Sequence, residues 1–140
     1  ENRTSWQPDN TFLTELQEGK DIGQRMKNAF QDVFQKGHQK AILIGSDIYD
    51  IDEDIIREGF NKLDDTDCVI GPALDGGYYL IGLRRNIPLI FNHKEWSTNK
   101  TFDTTKRILN AHKIRFKLLS TLRDIDTYED VLYYEELKKL

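Results

Sequence analysis

The 140-residue sequence has few of the residues that several kinds of protein require. Cys68 is the only cysteine, so an intrachain disulfide is excluded, and no Cys/His cluster has the spacing of a zinc site. The longest apolar runs, such as residues 41–44, are far too short to cross a bilayer. We therefore expect a protein without a membrane span, in a reducing compartment, the cytoplasm.

The sequence also lacks a surplus of either charge. Its 20 Lys and Arg against 24 Asp and Glu give a net charge of -4, so no basic field favours nucleic acid or an anionic membrane. Small molecules or other proteins are the expected partners. A hydrophobic content of 38% is enough for one core, which predicts a single domain over residues 1–140. Because the chain starts at Glu1 rather than Met, we expect a domain truncated at its amino terminus.

The first half of the chain alternates between helix and strand patterns. Asp21 stands at a helix-cap position, and apolar residues then recur at spacings of three and four up to Gly37. Residues 41–44 form an unbroken apolar run, as expected of a buried parallel strand. Acidic residues 52–54 suit the start of a second helix. Its predicted apolar face consists of Ile55, Ile56, Phe60 and Leu63.

The second half continues the alternation. Strands are predicted over residues 68–70, 78–83 and 116–119. Ser97 or Thr98 is the predicted cap of a helix, and a last helix is expected from Thr127. The face predicted for the first of these helices carries Phe102, Thr105, Ile108, Leu109 and His112. The alternation predicts an α/β fold, a three-layer α/β/α sandwich on a mostly parallel sheet.

Acidic turns are the main chemical clue. Asp47 follows the strand of residues 41–44, and one or two carboxylates with phosphate oxygens are what Mg²⁺ or Mn²⁺ requires. Asp75 precedes two glycines that let backbone approach a ligand, and its carboxylate could act as a base. Asp124 and Asp126 alternate on an extended segment and could share one cation. Each has a structural alternative, because such residues also cap turns and helices.

Other polar and aromatic residues carry weaker signals. The histidines His38, His93 and His112 have no mutual spacing of a site, so each is expected at the surface or at a helix end. Cys68 is expected to be a buried packing residue. The aromatic side chains at 78, 79 and 96 could stack on a ligand but are more often core. The adjacent basic residues at 84 and 85 could face phosphate or water.

Five motifs occur in the order seen in one bacterial family. They are residues 17–26, Gly45-Ser46-Asp47, residues 71–83, Trp96-Ser97-Thr98 and Asp124-Ile125-Asp126-Thr127. In this order the chain resembles the glycosyltransferase-A-like family of selenodomain-associated transferases, related to molybdenum-cofactor and phospholactate guanylyltransferases. The resemblance runs from about residue 17 to the end of the chain. Each motif alone is weak, but the five together are specific.

The resemblance implies a nucleotide-diphospho-sugar-transferase fold and metal-assisted transfer by the full-length protein. Asp47 matches the metal-binding Asp after the central strand, with Asp124 and Asp126 near the metal and the diphosphate. The cation, Mg²⁺ or Mn²⁺, would neutralise charge on the leaving diphosphate, and Asp75 would act on the acceptor side. The residues expected to border the nucleotide donor are Gly45, Ser46, Gly76 and Gly77.

The sequence departs from the family pattern in two places. The family has Pro two residues beyond the metal-binding Asp, where this chain has Ile48-Tyr49. The family's opening strand and its Gly- and Lys/Arg-bearing nucleotide loop lie upstream of Glu1. We therefore expect this chain alone to be inactive, and its exposed sheet edge to pair two copies as a homodimer.

Three functions follow from these expectations. The first is a glycosyltransferase that moves a sugar from a nucleotide sugar to a small-molecule acceptor. The second is a nucleotidyltransferase that joins a nucleoside triphosphate to a phosphorylated acceptor. The third is a non-catalytic remnant of this fold that binds a partner.

Overall fold

The computed structural model describes residues 18–45 and 51–123, where helices and strands alternate. The described helices are α1 (Ile22–Gln35), α2 (Glu53–Lys62) and α3 (Thr101–Ala111). The described strands are β1 (Ala41–Ile44), β2 (Cys68–Pro72), β3 (Tyr78–Leu83) and β4 (Phe116–Leu118). A short 3-10 helix, Pro88–Phe91, lies between β3 and α3. The helix predicted from Thr127 lies outside the described residues.

The first helix, α1, forms where the sequence predicts it. The Asp21 side chain accepts a hydrogen bond from the backbone N–H of Gln24 at 2.7 Å, which satisfies one of the free donors of the first turn. The helix ends at Gln35, and Gly37 follows with a φ of 93°, a conformation that glycine adopts readily. The apolar stripe faces inward, and its central residue, Phe30, is buried.

The sheet is mixed, so the expectation of a mostly parallel sheet is wrong at β3. The strand order is β1-β3-β2-β4, and β3 runs antiparallel to both of its neighbours. Only β2 and β4 pair in parallel. Residues 73–77 alone connect β2 to β3, whereas a parallel crossover needs about a dozen residues. The chain therefore returns as a hairpin.

Helices cover both faces of the sheet, which gives the layers predicted for an α/β/α arrangement. On one face, Phe30 of α1 and Leu109 of α3 share a core with Ile70 of β2. On the other face, Leu63 at the end of α2 packs with Val69. Adjacent residues of β2 thus point to opposite cores, as the two-residue period of a strand requires.

Two details of the helices differ from the predictions. Neither Ser97 nor Thr98 caps α3, because the helix begins at Thr101 and its N-cap residue, Lys100, makes no side-chain cap bond. On α2, Phe60 is 37% exposed and Gly59 is buried in its place, so packing selected the neighbouring position of the helix. His112 is exposed at the end of α3, as expected of a surface or helix-end histidine.

The pair Arg84-Arg85 forms ion pairs with Asp67, although the Arg85 side chain is 55% exposed. The Arg84 Nε atom lies 2.9 Å from Asp67 Oδ1, and an Arg85 nitrogen lies 3.7 Å from the other carboxylate oxygen. Arg84 also donates to the Asp64 backbone carbonyl at 3.1 Å. These bonds tie the end of β3 to the segment before β2, so the pair is structural. The homodimer stays a prediction.

Candidate functional site

A cavity of about 540 Å³ opens where β1 and β2 end and β3 begins. This is the edge of an α/β sheet at which ligands bind, beyond the carboxyl ends of the parallel strands. Its walls come from α1, the ends of β1 and β3, the turn after β2, and the segment that precedes α3. The lining residues are Ile22, Arg25, Met26, Ala29, Leu43, Ile44, Gly45, Asp75, Gly77, Tyr78, Tyr79, Leu80, Ile81, Trp96, Ser97, Thr98, Asn99 and Thr101.

The turn after β2 presents Asp75 at the cavity. Asp75 Oδ1 accepts a hydrogen bond from the Gly77 backbone N–H at 2.8 Å, and the turn closes through Gly76 N–H donating to the Ala73 carbonyl at 3.1 Å. Asp75 itself is exposed. Its second oxygen, Oδ2, has no hydrogen-bond partner within residues 18–45 and 51–123. The carboxylate is thus fixed by one oxygen and leaves the other for a ligand.

Gly76 joins this turn to the opposite wall of the cavity. Its φ is 94°, and a Cβ placed there would lie 2.1 Å from the backbone oxygen of Asn99. Its own carbonyl accepts a hydrogen bond from the Phe102 N–H at 2.9 Å, at the start of α3. Only glycine combines this φ with so close a backbone approach. Gly76 thus has a structural reason to be glycine, whereas a Cβ at Gly77 would meet only Asp75 Oδ1, at 3.2 Å.

Gly45, predicted to border the nucleotide donor, lines the same cavity as Asp75. Its N–H donates to the Tyr79 carbonyl at 2.8 Å, which extends the pairing of β1 with β3 to the cavity. Gly45, Asp75 and Gly77 therefore line one cavity although 30 residues separate Gly45 from Asp75. The other predicted site residues, Ser46, Asp47, Asp124 and Asp126, lie outside the described residues.

Trp96 forms the aromatic wall of the cavity. Its ring stacks on His93, with centroids 4.1 Å apart and an interplanar angle of 19°, and meets the ring of Tyr78 edge-on at 6.4 Å. Gly23 of α1 packs directly on the indole, because a Cβ there would lie 2.1 Å from Trp96 Nε1. The indole N–H is buried and has no hydrogen-bond partner among the described residues. Trp96 is partly buried and packs against the core, and its side chain also lines the cavity.

Ser97 continues this wall in a conformation that is uncommon for its residue type. Its φ of 59° lies in the left-handed region, which costs a residue with a side chain on the order of 1–2 kcal/mol. The segment is held by side-chain bonds: Thr98 Oγ1 accepts from the Lys100 N–H at 3.1 Å, and Thr101 Oγ1 donates to the Thr98 carbonyl at 3.1 Å. Backbone strain of this kind is common at active and ligand-binding sites, where the backbone must hold a fixed shape.

His93 is a residue that the sequence interpretation placed wrongly, at the surface or at a helix end. It is partly buried between Trp96 and α3. Nδ1 accepts a hydrogen bond from the Glu95 N–H at 3.1 Å, and Nε2 lies 3.3 Å from the Thr105 hydroxyl. Burial lowers the pKa of His93, and the nearby carboxylates of Glu95 and Asp21 oppose part of that change. Nothing in residue spacing could have indicated these contacts.

Burial also makes three other ionisable groups harder to deprotonate. It raises the pKa of the Cys68 thiol and of the Tyr78 hydroxyl well above their usual ranges, and that of Tyr79 to about 12. The Tyr78 hydroxyl makes no hydrogen bond of ordinary geometry, although Thr105 is near enough to offset part of the change in its pKa. Tyr79 donates to the Ser120 carbonyl at 2.8 Å. All three are structural, as predicted for Cys68.

Residues 18–45 and 51–123 contain neither a group of candidate metal ligands nor a candidate membrane-spanning helix. Within these ranges, no three His, Cys, Asp or Glu side chains are grouped to hold a metal ion. No helix there has the length and apolar character to cross a membrane.

Arg25 lines the cavity and was not predicted. It projects from α1, and its Nε donates to the Gly19 carbonyl at 3.3 Å.

The described fold is an α/β domain with a cavity at the carboxyl ends of β1 and β2, and comparison with known proteins places it in a family. The chain belongs to the family of uncharacterized proteins conserved in bacteria (DUF2064), whose model matches residues 2–98. No curated protein matches the chain.

One solved structure is similar over most of this chain. It is a crystal structure from Desulfovibrio desulfuricans, named as that of a "putative nucleotide-diphospho-sugar transferase", with 35% identity and a TM-score of 0.79. The likeness covers 86% of this chain and 54% of that one. This chain therefore spans about half the length of the structure that it matches.

Proposed function

We propose that this chain forms part of a metal-dependent transferase that uses a nucleotide-activated donor, a nucleotide sugar, and a small-molecule acceptor. The observation that carries the proposal is that Gly45, Leu122 and the Asp75 turn lie at one edge of the described sheet. Gly45 and Leu122 each stand two residues before a predicted metal-binding Asp in the sequence.

Hydrogen bonds establish this shared edge. Gly45, two residues before Asp47 in sequence, lines the cavity beside Asp75. Leu122, two residues before Asp124, accepts from the Leu74 N–H at 2.9 Å and donates to the Pro72 carbonyl at 3.0 Å. The chain thus enters both predicted metal-binding segments from positions next to the turn that carries Asp75.

The residue types suit the proposed chemistry. Carboxylates are the oxygen ligands that Mg²⁺ and Mn²⁺ take together with phosphate, so Asp47, Asp124 and Asp126 fit such a cation. Asp75 Oδ2 would accept the proton of an acceptor hydroxyl, while Gly77 holds the carboxylate in place through Oδ1. Glycines at 45, 76 and 77 let backbone approach the donor closely.

The comparisons favour the same class. The structural relative is named as a "putative nucleotide-diphospho-sugar transferase", and the likeness covers 86% of this chain. Within that class the order of motifs resembles the selenodomain-associated transferases. We therefore favour sugar transfer over nucleotidyl transfer, and labelled sugar donors against labelled triphosphates would separate the products of the two reactions.

The test is calorimetric titration of nucleotide sugars with Mn²⁺ into the chain and into three variants. Asp47→Ala should weaken binding at least about tenfold, the value of one lost interaction with a charged group. Asp103→Ala removes an exposed carboxylate of α3 outside the cavity and should leave binding unchanged. Asp75→Asn should also leave donor binding unchanged, because its role lies on the acceptor side.

Two outcomes would count against the proposal. Binding that does not depend on Mn²⁺ would contradict the metal dependence in the proposal. Equal weakening by Asp47→Ala and Asp103→Ala would show a general charge effect rather than a metal site.

A further inference from the structure

The cavity wall, defined here as residues 96–99, depends on one side chain that lies behind it. All four of its residues line the cavity, and the wall belongs to neither a helix nor a strand. His93 stacks on the first of them, Trp96, at 4.1 Å. Through Thr105, which is fully buried on α3, the ring also connects the wall to the core.

The hydrogen bonds define the form in which His93 holds the wall. The Glu95 N–H donates to Nδ1 at 3.1 Å, so Nδ1 carries no proton. Nε2 therefore carries it and donates to the Thr105 hydroxyl at 3.3 Å. Only the neutral ring with this tautomer makes both bonds. A protonated ring has two donors and cannot accept from Glu95.

Every element packed around the ring contributes to its electrostatic environment. Glu95 in the same segment and Asp21 at the start of α1 are the carboxylates whose fields reach it. Thr105 on α3 is a neutral group next to the ring, and Tyr78 on β3 contacts Trp96, on which the ring stacks. Lys27 of α1 donates to Asn92, next to His93 in sequence, at 3.2 Å. Burial outweighs the carboxylates and favours the neutral ring.

We propose that His93 is a positioning residue of the cavity: its neutral ring holds the wall in the shape that binds a ligand, and protonation releases the wall. The identity of that ligand, a nucleotide sugar, rests on the function proposed above. Control of the wall by His93 does not, because it follows from the contacts of the ring alone.

The proposal sets the direction of the pH dependence. Folding lowers the pKa of His93 below its usual value of about 6.5, so the unfolded chain binds this proton more tightly than the folded chain. The free energy of unfolding and the order of the wall should both fall as the pH drops below about 6.5. Neither should change on this account at higher pH.

The first measurement is the fluorescence of Trp96 in a Trp6→Phe background, where it is the only indole. Release of the wall exposes the indole to water, so the emission maximum of Trp96 should shift to longer wavelength in one titration with a midpoint below about 6.5. In His93→Asn the transition should vanish, because Asn accepts from the Glu95 N–H at every pH. His38→Asn, at an exposed histidine, should keep it. A transition that persists in His93→Asn would overturn the proposal.

The second measurement is the affinity for UDP-glucose with Mn²⁺ over about pH 5 to 8, the range in which histidine titrates. The unsubstituted chain should lose about tenfold at the acid end, and His93→Asn should lose little. Binding that stays constant with pH while Trp96 titrates would overturn the link between the wall and the ligand. Absence of binding at any pH, with the Trp96 transition intact, would contradict the proposed donor and support the control of the wall by His93.

Discussion

Replacing Gly76 by alanine should lower the free energy of unfolding by about 3 kcal/mol, the largest loss that we expect from one added methyl group. The φ of 94° disfavours any residue with a Cβ by about 1–2 kcal/mol. The new Cβ would also lie 2.1 Å from the Asn99 backbone oxygen, which cannot move aside as a side-chain tip could, and overpacking adds about 1–3 kcal/mol. Urea unfolding followed by circular dichroism measures the loss.

Gly37 provides a matched control for Gly76→Ala. Its φ of 93° is nearly the same, but a Cβ there has no atom within 4 Å. Gly37→Ala should therefore show the conformational cost alone, about 1–2 kcal/mol. Equal losses in the two variants would mean that contact with Asn99 does not constrain the turn. A larger loss for Gly76→Ala would show that the turn and the wall of the cavity are joined there.

Replacing Trp96 by alanine should lower the free energy of unfolding by about 3 kcal/mol and enlarge the cavity. The indole stacks on His93, lies 6.2 Å from the Phe91 ring, and packs under Gly23 of α1. Its removal takes away the contacts that connect α1 to the segment before α3. Circular dichroism is again the measurement, because the substitution removes the fluorescent reporter.

Phe60→Ala is the control for Trp96→Ala. Phe60 is also aromatic, but it is 37% exposed on α2 and belongs to neither core cluster. Its removal should cost about 1 kcal/mol or less, as for other surface positions. If the two variants lost equal stability, Trp96 would have no special part in the packing of the cavity.

Local patterns gave the elements of the described fold with good accuracy. The cap at Asp21 and the apolar stripe predicted α1, and the run of residues 41–44 predicted β1 with its bounds. Such signals depend on neighbours within one turn or one strand. They failed for β4 by one residue and for the cap of α3, where Thr98 accepts from the Lys100 N–H just before the helix begins at Thr101.

The candidate site could be predicted only in part. The sequence singled out Asp75 with its glycines because an Asp-Gly-Gly turn is a local pattern, and the structure brings it beside Gly45. The places of Arg25 in the cavity lining and of His93 beside Trp96 were not predicted, because each depends on how α1 and the segment before α3 pack around the cavity. The predicted metal ligands, Asp47, Asp124 and Asp126, remain predictions, since they lie outside the described residues.

The sequence by itself determined the periods of the helices and strands, the family, and the types of residue available for chemistry, because these depend on local pattern and composition. Only the tertiary structure decided the partly buried position of His93 between Trp96 and α3 and the contact of Gly76 with Asn99. The physical reason is that these features depend on which distant segments share a core. That choice is made by the packing of the whole sheet and its helices, and no short window of residues contains it.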